Sequence, residues 1–71
     1  MPRLNVYRHD ILEQEFIEVN RWRERDKQYG EVTIIRAKAL LPNGRISRVS
    51  RYFYMDGEAF APMTYIGQIE V

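Results

Sequence analysis

The stretch VTIIRAKALLPNGRISRVSRYFYM, residues 32–55, carries the clearest local structural signal in this 71-residue chain. It contains two runs rich in β-branched and aromatic residues, 32–41 and 46–55, which are separated by Pro-Asn-Gly-Arg. Two such runs on either side of a turn sequence are typical of a β-hairpin. The stretch therefore predicts two antiparallel strands joined by a short turn.

The proline decides which turn joins the two strands. A two-residue turn formed by Asn43 and Gly44 would require a backbone N–H that Pro42 lacks. A type I turn with Pro42 and Asn43 at its centre and Gly44 in a left-handed bulge position removes that requirement. Leu41 then faces Arg45. The same register predicts further pairs, namely Leu40 with Ile46, Lys38 with Arg48, Arg36 with Ser50 and Ile34 with Tyr52 on one side, and Ala37 with Val49 and Thr33 with Phe53 on the other.

A helix is predicted before the hairpin, over residues 10–30. Asp10 and Glu13 have the spacing of a capping box, and Gly30 suits the left-handed cap at a helix end. Ile17 would lie on the opposite face of this helix, and the sequence FIEVNRW, residues 16–22, fits a strand better. The apolar residues that recur at helical intervals of four and three are Leu12, Phe16 and Val19.

Strands are predicted at both ends of the chain. Leu4 and Val6 alternate with polar neighbours, as in a half-buried strand. After the connection MDGEAFAP, residues 55–62, which is marked by Gly57 and Pro62, apolar and polar residues alternate up to Val71. The order is then β-α-β-β-β in a single domain, residues 1–71. This is an α+β fold in which one amphipathic helix packs on a mainly antiparallel sheet with a long projecting hairpin.

The composition is that of a small folded domain. Apolar residues make up 45% of the chain and charged residues 30%, which is typical of globular proteins. A chain this short is near the lower size limit for a single core, and without cysteine it has neither disulfides nor a thiolate zinc site. A homo-oligomer is therefore expected. No apolar run approaches the roughly 18 residues that span a bilayer, so we expect a cytoplasmic protein without a membrane partner.

Charge is distributed unevenly along the chain. The hairpin stretch holds five of the eleven basic residues and none of the ten acidic ones, although the net charge of the whole chain is only +1. Three interpretations are open. The cations of the hairpin are solvated or face the acidic helix of the same or a neighbouring chain. Alternatively they contact an acidic protein, or they contact phosphates while aromatic residues stack on unpaired bases. The candidate partner-binding residues are Arg36, Lys38, Arg45, Arg48, Arg51, Tyr52 and Tyr54.

Residues capable of catalysis form no recognisable motif. His9 is the only histidine, and together with Asp10 it supplies too few ligands for a metal. Ser47 and Ser50 lie in the hairpin without a base placed beside them by the sequence, so nothing indicates an activated nucleophile. No catalytic residue, metal site or cofactor is predicted from these patterns.

Pro2 carries the one resemblance to an enzyme family. Removal of the initiator methionine would expose the secondary amine of Pro2, which can act as a base or a nucleophile. With the predicted order of proline, strand, helix and strand, the chain resembles the small tautomerases that use an amino-terminal proline. The resemblance covers Pro2 and this element order, and it implies an oligomeric enzyme with Pro2 in the active site.

The function expected from these patterns is non-enzymatic binding of a protein with an acidic surface through the basic, aromatic hairpin. A small cysteine-free chain with a projecting hairpin and a thinly covered sheet resembles the accessory, regulatory or inhibitory proteins that phages and plasmids encode. Two alternatives stay open. The same hairpin binds single-stranded nucleic acid, or the protein is a tautomerase that uses Pro2.

Overall fold

A computed structural model describes residues 2–55 and 61–71, and these residues form five β-strands and no helix. Every neighbouring pair of strands is antiparallel, and their order in the sheet is β4-β3-β2-β1-β5. The predicted α+β class, with its β-α-β-β-β order, is therefore wrong, because the described chain is an all-β sheet. The strands are β1 (Arg3–His9), β2 (Gln14–Asp26), β3 (Gly30–Leu40), β4 (Ile46–Tyr54) and β5 (Met63–Glu70).

The segment predicted as a helix forms β2, the central strand of the sheet. Phe16 pairs with Ala39 of β3, and the next residue, Ile17, pairs with Lys38. Consecutive residues of a strand point to opposite faces, yet the exposed fractions of Phe16 and Ile17 are only 0% and 1%. A helix would bury one stripe of side chains, whereas a strand with neighbours on both sides buries both residues. Burial on two faces thus overrides the helical spacing.

The predicted capping box is instead the turn between β1 and β2. The Glu13 N–H donates to the His9 carbonyl at 2.9 Å, and the Leu12 N–H donates to Nδ1 of His9 at 3.0 Å. Glu13 has a left-handed φ of 55°. The Asp10 carboxylate accepts a 2.9 Å hydrogen bond from the Thr64 hydroxyl of β5 rather than from a helix amide. Asp10 therefore joins the turn to the neighbouring strand.

The hairpin and its turn are confirmed. The Gly44 φ is 83°, the Gly44 N–H donates to the Leu41 carbonyl at 2.9 Å, and the Leu41 N–H donates to the Arg45 carbonyl at 2.8 Å. Leu40 pairs with Ile46, as predicted. These contacts establish the type I turn with a glycine bulge.

Beyond the turn the predicted register is wrong by two residues. The register shifts between Lys38 and Leu40, so residues 47–49 of β4 lie opposite Ala39 alone. A shift of two residues leaves each side chain on its predicted face, because the side-chain period of a strand is two. The observed pairs are Lys38 with Ser50, Arg36 with Tyr52 and Ile34 with Tyr54 on one face, and Ala37 with Arg51 and Ile35 with Phe53 on the other.

The first and last strands of the chain, β1 and β5, pair with each other. β5 lies antiparallel to β1, and the register shifts between Val6 and Tyr7, opposite Gly67 and Tyr65. Strands predicted at both ends of the chain are thus confirmed, whereas Gly57 of the predicted connection lies outside the described residues. β4 and β5 are left as the two edges of the sheet.

One face of the sheet, here called the core face, holds an aromatic cluster. The Phe16 and Phe53 rings pack edge to face with centroids 4.9 Å apart. The Arg51 guanidinium lies 5.5 Å from the centroid of each ring, within the range of a cation–π contact. The buried members of the cluster are Tyr7, Phe16, Ile35, Ala37, Ala39 and Phe53, and Leu41, Met55, Ala61 and Met63 pack against it.

Candidate binding face

The other face of the sheet, here called the Trp22 face, carries the candidate site. Strand alternation and the observed register bring three cross-strand rows of side chains onto this face. These rows are Ile17, Lys38 and Ser50, then Asn20, Arg36 and Tyr52, and finally Trp22, Ile34 and Tyr54. The residues come from β2, β3 and β4, so the site exists only once these strands are paired.

Two aromatic side chains on this face remain open to solvent. The rings of Trp22 and Tyr52 meet across β3 edge to face, with centroids 6.1 Å apart. Their exposed fractions are 36% for Trp22 and 63% for Tyr52. They border an open groove of about 420 Å³, which is lined by Trp22, Glu24, Ile34, Tyr52, Phe53 and Tyr54. A groove with aromatic walls and an apolar floor is suited to accept a side chain of a binding partner.

Acidic residues lie at one end of the groove. The Trp22 indole N–H donates to Oε1 of Glu24 at 2.9 Å. The Tyr54 hydroxyl donates to Oδ2 of Asp26 at 2.7 Å, and this hydrogen bond is the main reason why the pKa of Tyr54 is raised and that of Asp26 is lowered. Asp26 is therefore held as a carboxylate and Tyr54 as a neutral phenol.

Two cations lie on the same face in the next two cross-strand rows, beside the residues that line the groove. Arg36 and Lys38 are half-buried on the Trp22 face, and neither has an ion-pair partner within residues 2–55 and 61–71. The Arg36 Nε atom is buried, and no acceptor in the described chain bonds to it. A buried donor without an acceptor is costly, because it has given up its hydrogen bond to water. Arg36 therefore carries a buried donor that no acceptor of the described residues satisfies.

The structure separates the seven candidate residues predicted from the sequence. Arg36, Lys38, Tyr52 and Tyr54 lie together on the Trp22 face. Arg51 lies on the core face, where its guanidinium covers Phe16 and Phe53. The last two candidates are Arg45, which follows the β3–β4 turn, and Arg48, which lies in the bulge of β4.

Trp22 and Glu24 line the groove although the sequence did not mark them as site residues. Both were assigned to the predicted helix, far from the hairpin. The usable signal was the strand-like sequence of residues 16–22, since alternation along that strand puts Trp22 on the same face as Asn20 and Glu24. Only a strand beside β3 brings the indole to Tyr52.

Other potentially reactive groups have structural partners. His9 is buried, and its ring packs 5.8 Å from Phe53 while Nδ1 accepts the Leu12 N–H. The Pro2 carbonyl accepts a hydrogen bond of 3.2 Å from the Val71 N–H. Since the second element is a strand, the order of proline, strand, helix and strand that carried the resemblance to tautomerases is not present. No cluster of three or more potential metal ligands occurs among the described residues.

No protein-family model, curated protein or solved structure matches this chain. In the part of the chain that the structure describes, no helix is long and apolar enough to cross a membrane.

Proposed function

We propose that the protein is a non-enzymatic binding module whose Trp22 face takes up an acidic segment of a protein partner. The observation that carries this proposal is the unsatisfied donor of Arg36, because its buried Nε has no acceptor in the described chain. Arg36 lies between Asn20 and Tyr52 in one cross-strand row. A carboxylate is the acceptor that matches a guanidinium best, because it accepts two parallel hydrogen bonds.

The groove beside Arg36 adds an apolar requirement. Trp22 and Tyr52 form its walls, and Ile34 lies between them on β3. Tryptophan, tyrosine and arginine are the residue types that carry most binding energy at protein interfaces. The expected ligand is a peptide segment that places an aromatic or branched apolar side chain in the groove and one or two carboxylates over Arg36 and Lys38.

The charges around the groove favour a protein over single-stranded nucleic acid. Glu24 and Asp26 lie at the end where Trp22 and Tyr54 would stack on bases, and both carboxylates would repel the adjacent phosphates. A protein segment avoids this repulsion if its acidic residues all lie at the end that meets Arg36 and Lys38. The net charge of +1 also gives little general attraction for a polyanion.

Single-stranded nucleic acid remains the second candidate because of one observation. The Tyr52 ring is 63% exposed and lies on the same face as Lys38 and Arg36, which is the combination used for base stacking with phosphate contacts. The two candidates differ in their salt response. Nucleic-acid affinity would fall with a log-salt slope of about −0.7 for each phosphate contact.

The only tryptophan of the chain lies in the groove, so its fluorescence reports binding at this site. The experiment selects peptides on the immobilised protein from a displayed random library, with counter-selection on a Tyr52→Ala variant. A selected peptide and a single-stranded oligonucleotide are then titrated while Trp22 emission is followed. We expect peptides rich in Asp, Glu and one large apolar residue, and weak oligonucleotide binding even at low salt.

Three variants assign the contacts. Tyr52→Ala and Lys38→Gln should each weaken peptide binding about tenfold or more, as for central interface residues. Arg25→Gln is the matched control, because strand alternation places Arg25 on the face opposite Trp22 and Glu24, so this change should leave the affinity unchanged. Selected peptides that bind Lys38→Gln as tightly as the native protein would refute the proposal. Tight, salt-dependent oligonucleotide binding that Lys38→Gln weakens would favour nucleic acid instead.

A further inference from the structure

A second cleft lies at the end of the sheet where the β1–β2 and β3–β4 turns meet. It has a volume of about 670 Å³ and is separate from the groove of the Trp22 face. Leu12 is exposed at its rim, whereas Leu40 and Leu41 are half-buried. The residues that line this end cleft are Leu12, Glu13, Gln14, Glu15, Leu40, Leu41, Pro42 and Gly44.

One wall of the end cleft is acidic. Glu13 and Glu15 are exposed, and neither forms an ion pair or a side-chain hydrogen bond in the described chain. The left-handed φ of 55° at Glu13 belongs to the tight turn that forms this wall. The cleft thus combines an apolar floor with two unpaired carboxylates and suits a basic segment that also carries apolar side chains.

The chain itself contains such a segment directly after the cleft. Residues 45–49, Arg-Ile-Ser-Arg-Val, follow Gly44 and include the bulge of β4. Ile46 is 41% exposed and Val49 is 70% exposed. Arg45 and Arg48 are exposed and have no ion-pair partner among the described residues. This basic segment therefore complements the acidic wall of the end cleft by its charge and the apolar floor by its apolar side chains.

We propose that two copies of the chain associate through this end, with residues 45–49 of each copy docked into the end cleft of the other. Arg45 and Arg48 of one copy then meet Glu13 and Glu15 of its partner, while Ile46 and Val49 cover the leucines of the floor. The cleft and the basic segment adjoin each other at Gly44. A two-fold axis at this end therefore satisfies both copies at once, as in an isologous dimer.

The physical need for a partner comes from the size of the domain. A chain of 71 residues without cysteine has a small core and no disulfide to support it. Burial of the exposed side chains of Leu12, Ile46 and Val49 would extend the apolar core across the dimer axis. The opposite charges at the rim would set the orientation of the two copies.

A charge exchange between two variants tests this arrangement. One variant carries Glu13→Lys and Glu15→Lys, and the other carries Arg45→Glu and Arg48→Glu. Sedimentation equilibrium should show a dimer for the native chain, whereas each variant alone should dissociate with a dimer Kd raised at least about tenfold by like-charge repulsion. An equimolar mixture of the two variants should form a heterodimer, because one interface half then pairs lysine with glutamate while the other keeps the native pairing of arginine with glutamate.

Two further variants keep the test independent of folding. Val49→Asp should dissociate the dimer while leaving the monomer folded, as checked by near-ultraviolet circular dichroism. A control with Arg25→Glu and Glu31→Lys, a cross-strand pair at the distant end of β2 and β3, should leave the native dimer unchanged. A native chain that stays monomeric at millimolar concentration, or folded charge variants that dimerise as the native chain does, would overturn the proposal.

Discussion

The hydroxyl of Tyr54 donates a 2.7 Å hydrogen bond to Oδ2 of Asp26 and so ties the end of edge strand β4 to the turn between β2 and β3. The other oxygen of the same carboxylate, Oδ1, accepts the backbone N–H groups of Gln28 at 2.8 Å and Tyr29 at 3.0 Å. The Tyr29 ring packs edge to face on Tyr54. One carboxylate thus organises a turn and anchors the strand that carries Tyr52.

Asp26 should make the stability of the fold depend on pH in the acid range. Its pKa lies below the ordinary value of 3.8, mainly because of the bond from Tyr54 and then because of the two amides. A carboxyl with a lowered pKa stabilises the fold fully above its unfolded pKa, and this contribution is lost as the pH falls through the folded pKa. Asp26→Asn should therefore be less stable than the native chain at neutral pH, and the difference should shrink at about pH 3. Urea denaturation at both pH values measures it.

Glu31→Gln is the control for this prediction, because Glu31 is exposed and its carboxylate bonds to no other described side chain. Its effect on the free energy of unfolding should be small at both pH values. A stability difference between Asp26→Asn and the native chain that stays constant from neutral to acid pH would contradict the prediction.

The Gly44 backbone should determine the stability of the hairpin turn. Its φ of 83° is unfavourable for residues with a Cβ, although a Cβ built there would meet nothing within 4 Å. Gly44→Ala should therefore lower the free energy of unfolding by about 1 kcal/mol through backbone strain alone. Gly44→Asn should recover part of this loss, since asparagine tolerates the left-handed region. Equal melting temperatures for Gly44→Ala and the native chain would show that the turn relaxes.

Phe16 should be among the most sensitive core positions. Phe16 lies on β2, which has β1 and β3 as neighbours, and its fully buried ring packs against Phe53. Phe16→Leu should cost about 1 to 2 kcal/mol, because the smaller side chain leaves a cavity in the aromatic cluster. Ile11→Ala, at a site that is 76% exposed, is the control and should change the stability by less than about 0.5 kcal/mol. Similar losses for both variants in chemical denaturation would contradict the assigned core.

His9 should carry its proton on Nε2 when it is neutral. Nδ1 accepts the Leu12 N–H at 3.0 Å, so that nitrogen must be free of a proton. Long-range ¹⁵N correlation spectra distinguish the two tautomers directly, and we expect the Nε2–H pattern. A predominant Nδ1–H tautomer would show that the turn between β1 and β2 is held in another way. His9→Phe keeps the ring contacts but removes the acceptor, and it should speed the exchange of the Leu12 amide.

The hairpin was predictable because its signals are local. Pro42 and Gly44 restrict the turn by their own backbone preferences, and Leu41 and Arg45 follow from that turn without any other contact. The bulge of β4 was not predicted, since the turn residues do not indicate where the register shifts between Lys38 and Leu40. Within the bulge the Val49 N–H donates to Oγ of Ser47 at 3.2 Å.

The central strand was mispredicted because its sequence fits two structures. The capping spacing of Asp10 and Glu13 and the apolar interval of four residues fit a helix, but the same short patterns also occur in turns and strands. What decides for β2 is the simultaneous burial of Phe16 and Ile17 on opposite faces. That requirement arises from the strands on both sides, which no local window of sequence contains.

Local residue patterns were enough to predict the hairpin turn, the two terminal strands and the concentration of positive charge in the hairpin, because each depends on neighbouring residues alone. The tertiary structure decided which of those charges act together. It placed the Arg51 guanidinium over Phe16 and Phe53, paired Arg36 with Tyr52, and brought Trp22 of β2 to this row across β3. Faces of a sheet are built from residues that lie far apart in the chain, so strand order and register decide the composition of a surface.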